Sequence, residues 1–107
     1  MELETVKEKN TAIVTISFKD EDGLAVIPTK AYYSLYCETT STEIIAETEI
    51  SSPGSEQSIT ITPAQNEIID DKNDFETRIV TARWTYSGNK QGASEYRYKV
   101  ENLKRIT

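Results

Sequence analysis

Apolar residues in this chain recur at every second position, in short runs separated by turn residues. From Thr11, the residues Ala12, Val14, Ile16 and Phe18 share one face, while Thr11, Ile13, Thr15 and Ser17 share the other. A strand alternates its side chains in this way, and β-branched residues suit a pleated, half-buried surface. The run stops at Lys19-Asp20-Glu21-Asp22-Gly23, where Asp-Gly signals a turn. The pattern restarts at Ala31–Glu38, with Ala31, Tyr33, Leu35 and Cys37 inward and Tyr32, Ser34, Tyr36 and Glu38 outward. It returns at Thr77–Tyr86, with Val80, Ala82, Trp84 and Tyr86 inward and Ile79, Thr81, Arg83 and Thr85 outward. Glu95–Leu103 sets Tyr96, Tyr98 and Val100 against Arg97, Lys99 and Glu101. Shorter strands are expected around Ile44 and Ile45 and at Ser58–Ile61. Leu24–Ile27, ended by Pro28, suits a sheet edge.

One helix is expected, near 63–70. Thr62-Pro63-Ala64-Gln65 offers a capping threonine, a proline at the first helical position and a glutamine three residues after the cap. Little periodic sequence follows, so the helix should end after about two turns, near Asp70 or Asp71. About seven short strands with one short helix describe an all-β fold, a β-sandwich in which the helix links the two sheets. A small closed barrel is the alternative. At 107 residues the chain fits one domain. Residues 11–107 form that domain, and residues 1–10 are an N-terminal arm or a first strand within Leu3–Lys7.

Eighteen acids against twelve bases give a net charge of −6. That argues against nucleic acid as the partner, because phosphate binding runs on surplus Lys and Arg. No apolar run approaches the ~20 residues of a membrane span, so no membrane partner is expected. The acidic N-terminus lacks the apolar stretch of a signal peptide. Cys37 is the only cysteine, and an internal disulfide needs two. Folding in the cytoplasm is therefore expected.

The residue inventory points away from an enzyme. There is no histidine, which removes a nucleophile activated by a Ser-His pair and most acid–base chemistry near neutral pH. Cys37 lies on the inward parity of a strand and reads as a small buried hydrophobe. Asp70, Asp71, Asp74 and Glu76 fall together in what reads as a solvated loop. Their spacing does not match a calcium loop: starting at Asp70 puts Lys72 third, and starting at Asp71 puts Phe75 fifth. No structural zinc ligand set or phosphate-binding glycine loop is present. No catalytic, cofactor-binding or metal-binding residue is expected.

Charge is distributed unevenly along the chain. Residues 1–76 carry 16 acids and 5 bases, whereas residues 77–107 carry 2 acids and 7 bases. The last two strands should pair with each other and with Ala31–Glu38. Their outward faces would then carry Tyr32, Tyr36, Arg83, Arg97 and Lys99, the candidate partner surface. Tyr and Arg are enriched where proteins meet. The same residues also suit ordinary cross-strand pairs on a wet face. If the surface is used, self-association is one expectation, the basic face of one copy meeting the acidic side of the next.

Phe18–Gly23, Val26-Ile27-Pro28-Thr29 and Tyr33-Ser34-Leu35-Tyr36 resemble the opening of small structural proteins of tailed bacteriophages and prophages. Ile59–Pro63, Arg78-Ile79-Val80-Thr81 and Glu95–Leu103 fit the same pattern, so the resemblance spans roughly Thr11 to Leu103. It implies an immunoglobulin-like or fibronectin-III-like sandwich. It further implies a non-enzymatic virion or assembly component of the head–tail or tail region that contacts other phage proteins. Localisation in the virion follows from it, after synthesis in the bacterial cytoplasm. The alternative it carries is a binding module for a carbohydrate or host protein, with Tyr32, Tyr36 and the loop Ser87–Ser94 in contact.

Overall fold

A computed structural model describes residues 4–103. Its strands are β1 (Glu4–Lys7), β2 (Ala12–Ser17), β3 (Lys30–Cys37), β4 (Thr42–Glu49), β5 (Glu56–Ile61), β6 (Phe75–Tyr86) and β7 (Lys90–Glu101). They form a five-stranded sheet, β1-β7-β6-β3-β4, and a two-stranded sheet, β2-β5. β1 runs parallel to β7, and every other pairing is antiparallel. The chain is therefore all-β. The strands divide between two separate sheets, so the closed barrel is not formed. No helix among the described residues is long and apolar enough to cross a membrane.

The alternating pattern buries one face of each sheet against the other. Ile16 and Phe18, from β2 and its continuation, and Ile61 from β5 share a core with Leu35, Val80, Trp84 and Val100 of the larger sheet. Phe18 meets Trp84 edge to face, with ring centroids 5.2 Å apart and planes at 72°. The Trp84 indole N–H is not lost to burial, because it donates to Lys19 O at 3.2 Å. Leu24–Pro28 is not a strand. Only Ala25 makes an isolated bridge, to Lys19, and Leu24 and Ile27 are exposed.

The helix expected near 63–70 is instead one 3-10 turn, Ala64–Asn66. Its capping residues behave as their spacing implies. Gln65 N–H donates to Thr62 Oγ1 (3.3 Å), and Thr62 N–H donates to Gln65 Oε1 (2.9 Å). β6 then takes the backbone groups that a second turn would need. Arg78 donates from Nη1 to Gln65 O (2.8 Å) and from Nη2 to Glu67 O (2.7 Å). Glu76 accepts the N–H groups of Ile69 and Asp70, both at 2.9 Å. Glu67 is already extended, with φ −72° and ψ 142°. The segment still joins the two sheets, β5 to β6.

Glu76 therefore does not lie in a solvated loop. It is fully buried at the start of β6, as is Arg78, and the two form an ion pair at 3.0 Å. Burial works to raise the Glu76 carboxyl, but the Ile69 and Asp70 N–H groups, Arg78 and Asn73 outweigh it and hold the group below its ordinary range. Beside this pair, Tyr98 donates to Asn66 Oδ1 at 2.8 Å, and Asn66 Nδ2 donates to Asn10 O at 2.8 Å. A polar seam thus closes one end of the apolar core.

Candidate functional site

The outer face of the five-stranded sheet carries all five residues of the candidate surface. Register places them. Tyr32 lies opposite Arg83, Tyr36 opposite Ile79, Ile79 opposite Arg97, and Thr77 opposite Lys99. Tyr32 and Tyr36 are four residues apart on one strand, about 13 Å, so the array forms two clusters rather than one.

In the first cluster, Arg83 grips Glu47 with both prongs of its guanidinium, Nε to Oε2 and Nη2 to Oε1, each at 2.6 Å. Its Cζ stands 4.4 Å from the centroid of the Tyr32 ring. The paired arginine hydrogen bonds hold the Glu47 carboxyl below its ordinary range, and the Glu47 carboxylate in turn raises Arg83. Bidentate pairing over an aromatic ring fixes the guanidinium in one orientation.

The second cluster is built around Arg97. Its Nη1 reaches both Glu38 oxygens, at 3.0 and 3.3 Å, and its Nη2 lies 3.5 Å from Glu95 Oε1. Tyr36 stands nearby, 38% exposed. Ile79, between Tyr36 and Arg97 in the register, is on the outer face yet buried. Lys99 belongs to neither cluster. Its ammonium lies 5.6 Å from the ring centroid of Phe75, which is itself exposed.

Sequence reasoning puts Glu38 on this face but misses the carboxylates of β4 and the pairing of both arginines. Arg83 and Arg97 are each paired with acids of the same face, so they do not form a free basic patch. The cause is β4. Its register with β3 shifts twice, between Tyr33 and Leu35 and between Leu35 and Tyr36. Such irregularities re-aim side chains: Glu43 and Glu47 share a parity with Ile45, yet Ile45 pairs with the inward Leu35, so strict alternation does not give the facing of this strand. Between the clusters lies a groove of about 490 Å³. Its floor is Ser34, Leu35, Ile79 and Thr81, and its walls are Tyr36, Arg97 and the carboxylates of Glu38, Glu43, Glu47 and Glu95. Even with Arg83 held on Glu47 and Arg97 on Glu38, four acids against two arginines leave the groove acidic on balance.

Cys37 is fully buried, its Sγ 3.9 Å from Glu76 Oε1. The loop expected at Ser87–Ser94 is shorter, because β7 begins at Lys90. The turn is Ser87-Gly88-Asn89, with Ser87 at φ 46° and Gly88 at φ 86°. Glu21 ties down the base of that hairpin by accepting from Lys90 Nζ (2.6 Å) and the Tyr86 hydroxyl (2.9 Å). The Lys90 hydrogen bond is the main reason the Glu21 carboxyl falls to about 2.

No protein-family model, curated protein or solved structure matches this chain.

Proposed function

We propose that this chain is a non-enzymatic immunoglobulin-like interaction module, a structural or assembly component of a phage or prophage particle. It works by protein–protein contact through the outer face of its five-stranded sheet. The observation that carries the reading is the fixed Tyr/Arg array on that face. Arg83 is clamped by Glu47 above Tyr32, and Arg97 is held by Glu38 next to Tyr36. Side chains already held in one geometry lose little entropy on docking, and Tyr and Arg are the residue types on which binding energy concentrates. The order of the larger sheet, with the first strand parallel to the last, supports the immunoglobulin-like assignment.

The non-enzymatic reading is supported by the fate of the buried ionisable pair. Hydrogen bonds from Arg78, Asn73 and two backbone N–H groups occupy Glu76, which leaves the carboxylate satisfied rather than poised for proton transfer.

The test is mass spectrometry of purified particles after prophage induction, with wild-type and Tyr32→Ala/Tyr36→Ala chains compared. Peptides at a fixed ratio to a major tail or capsid protein, lost in the double variant, are the expected result. Wild-type chain present in the lysate but absent from particles overturns the reading. The groove favours one second reading, a carbohydrate site in which the Tyr36 ring stacks on a sugar and the carboxylates accept from its hydroxyls. Glycan binding abolished by Tyr36→Ala, with particle incorporation absent, selects it.

A further inference from the structure

The groove on the outer face runs across the strands, and its two ends are acidic. At its centre, Ser34 and Thr81 are direct register neighbours with short side chains, and they form a low row. On one side stand Tyr36, Ile79 and Arg97, and on the other the Arg83–Glu47 pair over Tyr32. Glu43 and Glu47 of β4 close one end, and Glu95 of β7 closes the other. Glu43 makes no ion pair among the described residues. Glu95 is only 3.5 Å from an arginine that Glu38 holds more closely.

We infer that the groove takes an extended segment of a partner protein carrying two cationic side chains about four residues apart. The inference rests on the proposed docking role of this face and names the chemistry of its partner. Charge complementarity gives the sign, since the four carboxylates of the groove exceed the two guanidiniums that pair with them, Arg83 on Glu47 and Arg97 on Glu38. Strand geometry gives the spacing. β4 and β7 are separated by three inter-strand steps, about 14 Å, which four residues of extended chain span at about 3.3 Å each. The Tyr36 ring, with the small part of Ile79 left exposed beside it, offers apolar surface to the stem of a Lys or Arg, which lies along such surface while the charged head reaches past it. The short Ser34–Thr81 row leaves height for the backbone between the two cations.

The probe is an acetylated, amidated peptide Lys-Thr-Val-Thr-Lys, titrated to 5 mM into the full chain while backbone amide shifts are followed by NMR. The expected shifts are confined to Ser34, Tyr36, Glu43, Thr81 and Glu95. They weaken at least threefold in Glu43→Gln and in Glu95→Gln, and also at 0.5 M salt. The peptide Lys-Thr-Lys should bind at least threefold more weakly, and Glu-Thr-Val-Thr-Glu should give no shifts. Shifts elsewhere, equal shifts with the acidic peptide, indifference to both substitutions or no shifts at 5 mM overturn the inference. Particle incorporation of the Tyr32→Ala/Tyr36→Ala chain separates the two failures. If incorporation is lost but the peptide does not bind, the face docks a partner that is not cationic. If incorporation is unaffected, the docking role itself falls.

Discussion

Gly92 lies so close to the indole of Trp84 that a Cβ at residue 92 would sit 2.5 Å from Trp84 Cε2 and 2.6 Å from Nε1. The two residues are register partners on β7 and β6. The indole can spread beneath its neighbouring strand only because that strand has no side chain there. Gly92→Ala must push aside a ring that is also fixed by its bond to Lys19 O and its edge contact with Phe18. Overpacking of this kind costs about 1–3 kcal/mol, to be read from urea unfolding midpoints. Gly88→Ala meets open space and is strained only by its φ of 86°, so its cost should be about 1–2 kcal/mol.

Arg78→Met removes one member of the buried ion pair. Glu76 keeps the N–H groups of Ile69 and Asp70, the Asn73 amide and the Cys37 thiol, but Gln65 O and Glu67 O lose their donor. A broken buried pair costs about 3–5 kcal/mol. The double variant Glu76→Leu/Arg78→Met should cost less than the sum of its singles, as a double-mutant cycle in urea will show. Hydrogen exchange should rise first at Ile69 and Asp70 in any variant lacking the Glu76 carboxylate.

Acid should act through the same carboxylate. The folded-state pKa of Glu76 lies below its ordinary value of 4.5. Its contribution to stability is therefore complete above about pH 4.5 and disappears as pH falls through the lower folded value. The stability gap between wild type and Glu76→Gln should be constant from pH 6 to pH 7 and should narrow steadily below pH 4.5. A gap that persists unchanged to pH 2 contradicts this assignment.

Tyr98 gives the opposite limb. Burial pushes its hydroxyl up to about 12 from an ordinary 10. The folded state retains the proton, so this contribution is complete below pH 10 and lost between about pH 10 and 12. Unfolding midpoints at pH 9 and pH 11 should differ more for wild type than for Tyr98→Phe. The variant should also be less stable at pH 7 by about 1–3 kcal/mol, because Asn66 Oδ1 loses its donor.

Cys37 should behave as core rather than as a reagent. Its thiol is fully buried, so modification by a disulfide reagent in native buffer should proceed at the rate at which the chain opens. The rate should climb with urea in parallel with unfolding. Prompt stoichiometric labelling in native buffer would show the site to be accessible.

The strands with the longest alternation are legible in the residue order alone. In β2, β3, β6 and β7 the inward set given by period two is buried or packed against the core. The departures share a physical cause, which is that a linear pattern sends every charged residue to water. Glu76 and Arg78 lie on the same parity as Val80, but their charges end the readable pattern two residues too early. Only the partners contributed by residues 65–73 make their burial tolerable, and those partners are invisible in a linear pattern. The helix is shorter than its capping signal suggests for the same reason. The capping box is real, but the backbone beyond it bonds to β6 side chains. On the candidate surface, period two alone places Tyr32, Tyr36, Arg83 and Arg97 on the correct face. It also places Glu38, the partner of Arg97, but not Glu47, the partner of Arg83, because the bulged β4 does not keep that period.

The parallel pairing of β1 with β7 has a mechanical consequence. Tension applied between Glu4 and Leu103 draws β1 toward its own start and β7 toward its own end. Two strands lying parallel are thereby slid past each other along their common axis. The register Glu4↔Tyr98 to Lys7↔Glu101 is loaded in shear, together with the bonds from Glu8 N–H to Glu101 O and from Leu103 N–H to Glu8 Oε1. Bonds loaded side by side give way together rather than one at a time. The edge of the larger sheet is thus a clamp, and pulling along the chain meets its resistance before the core is disturbed.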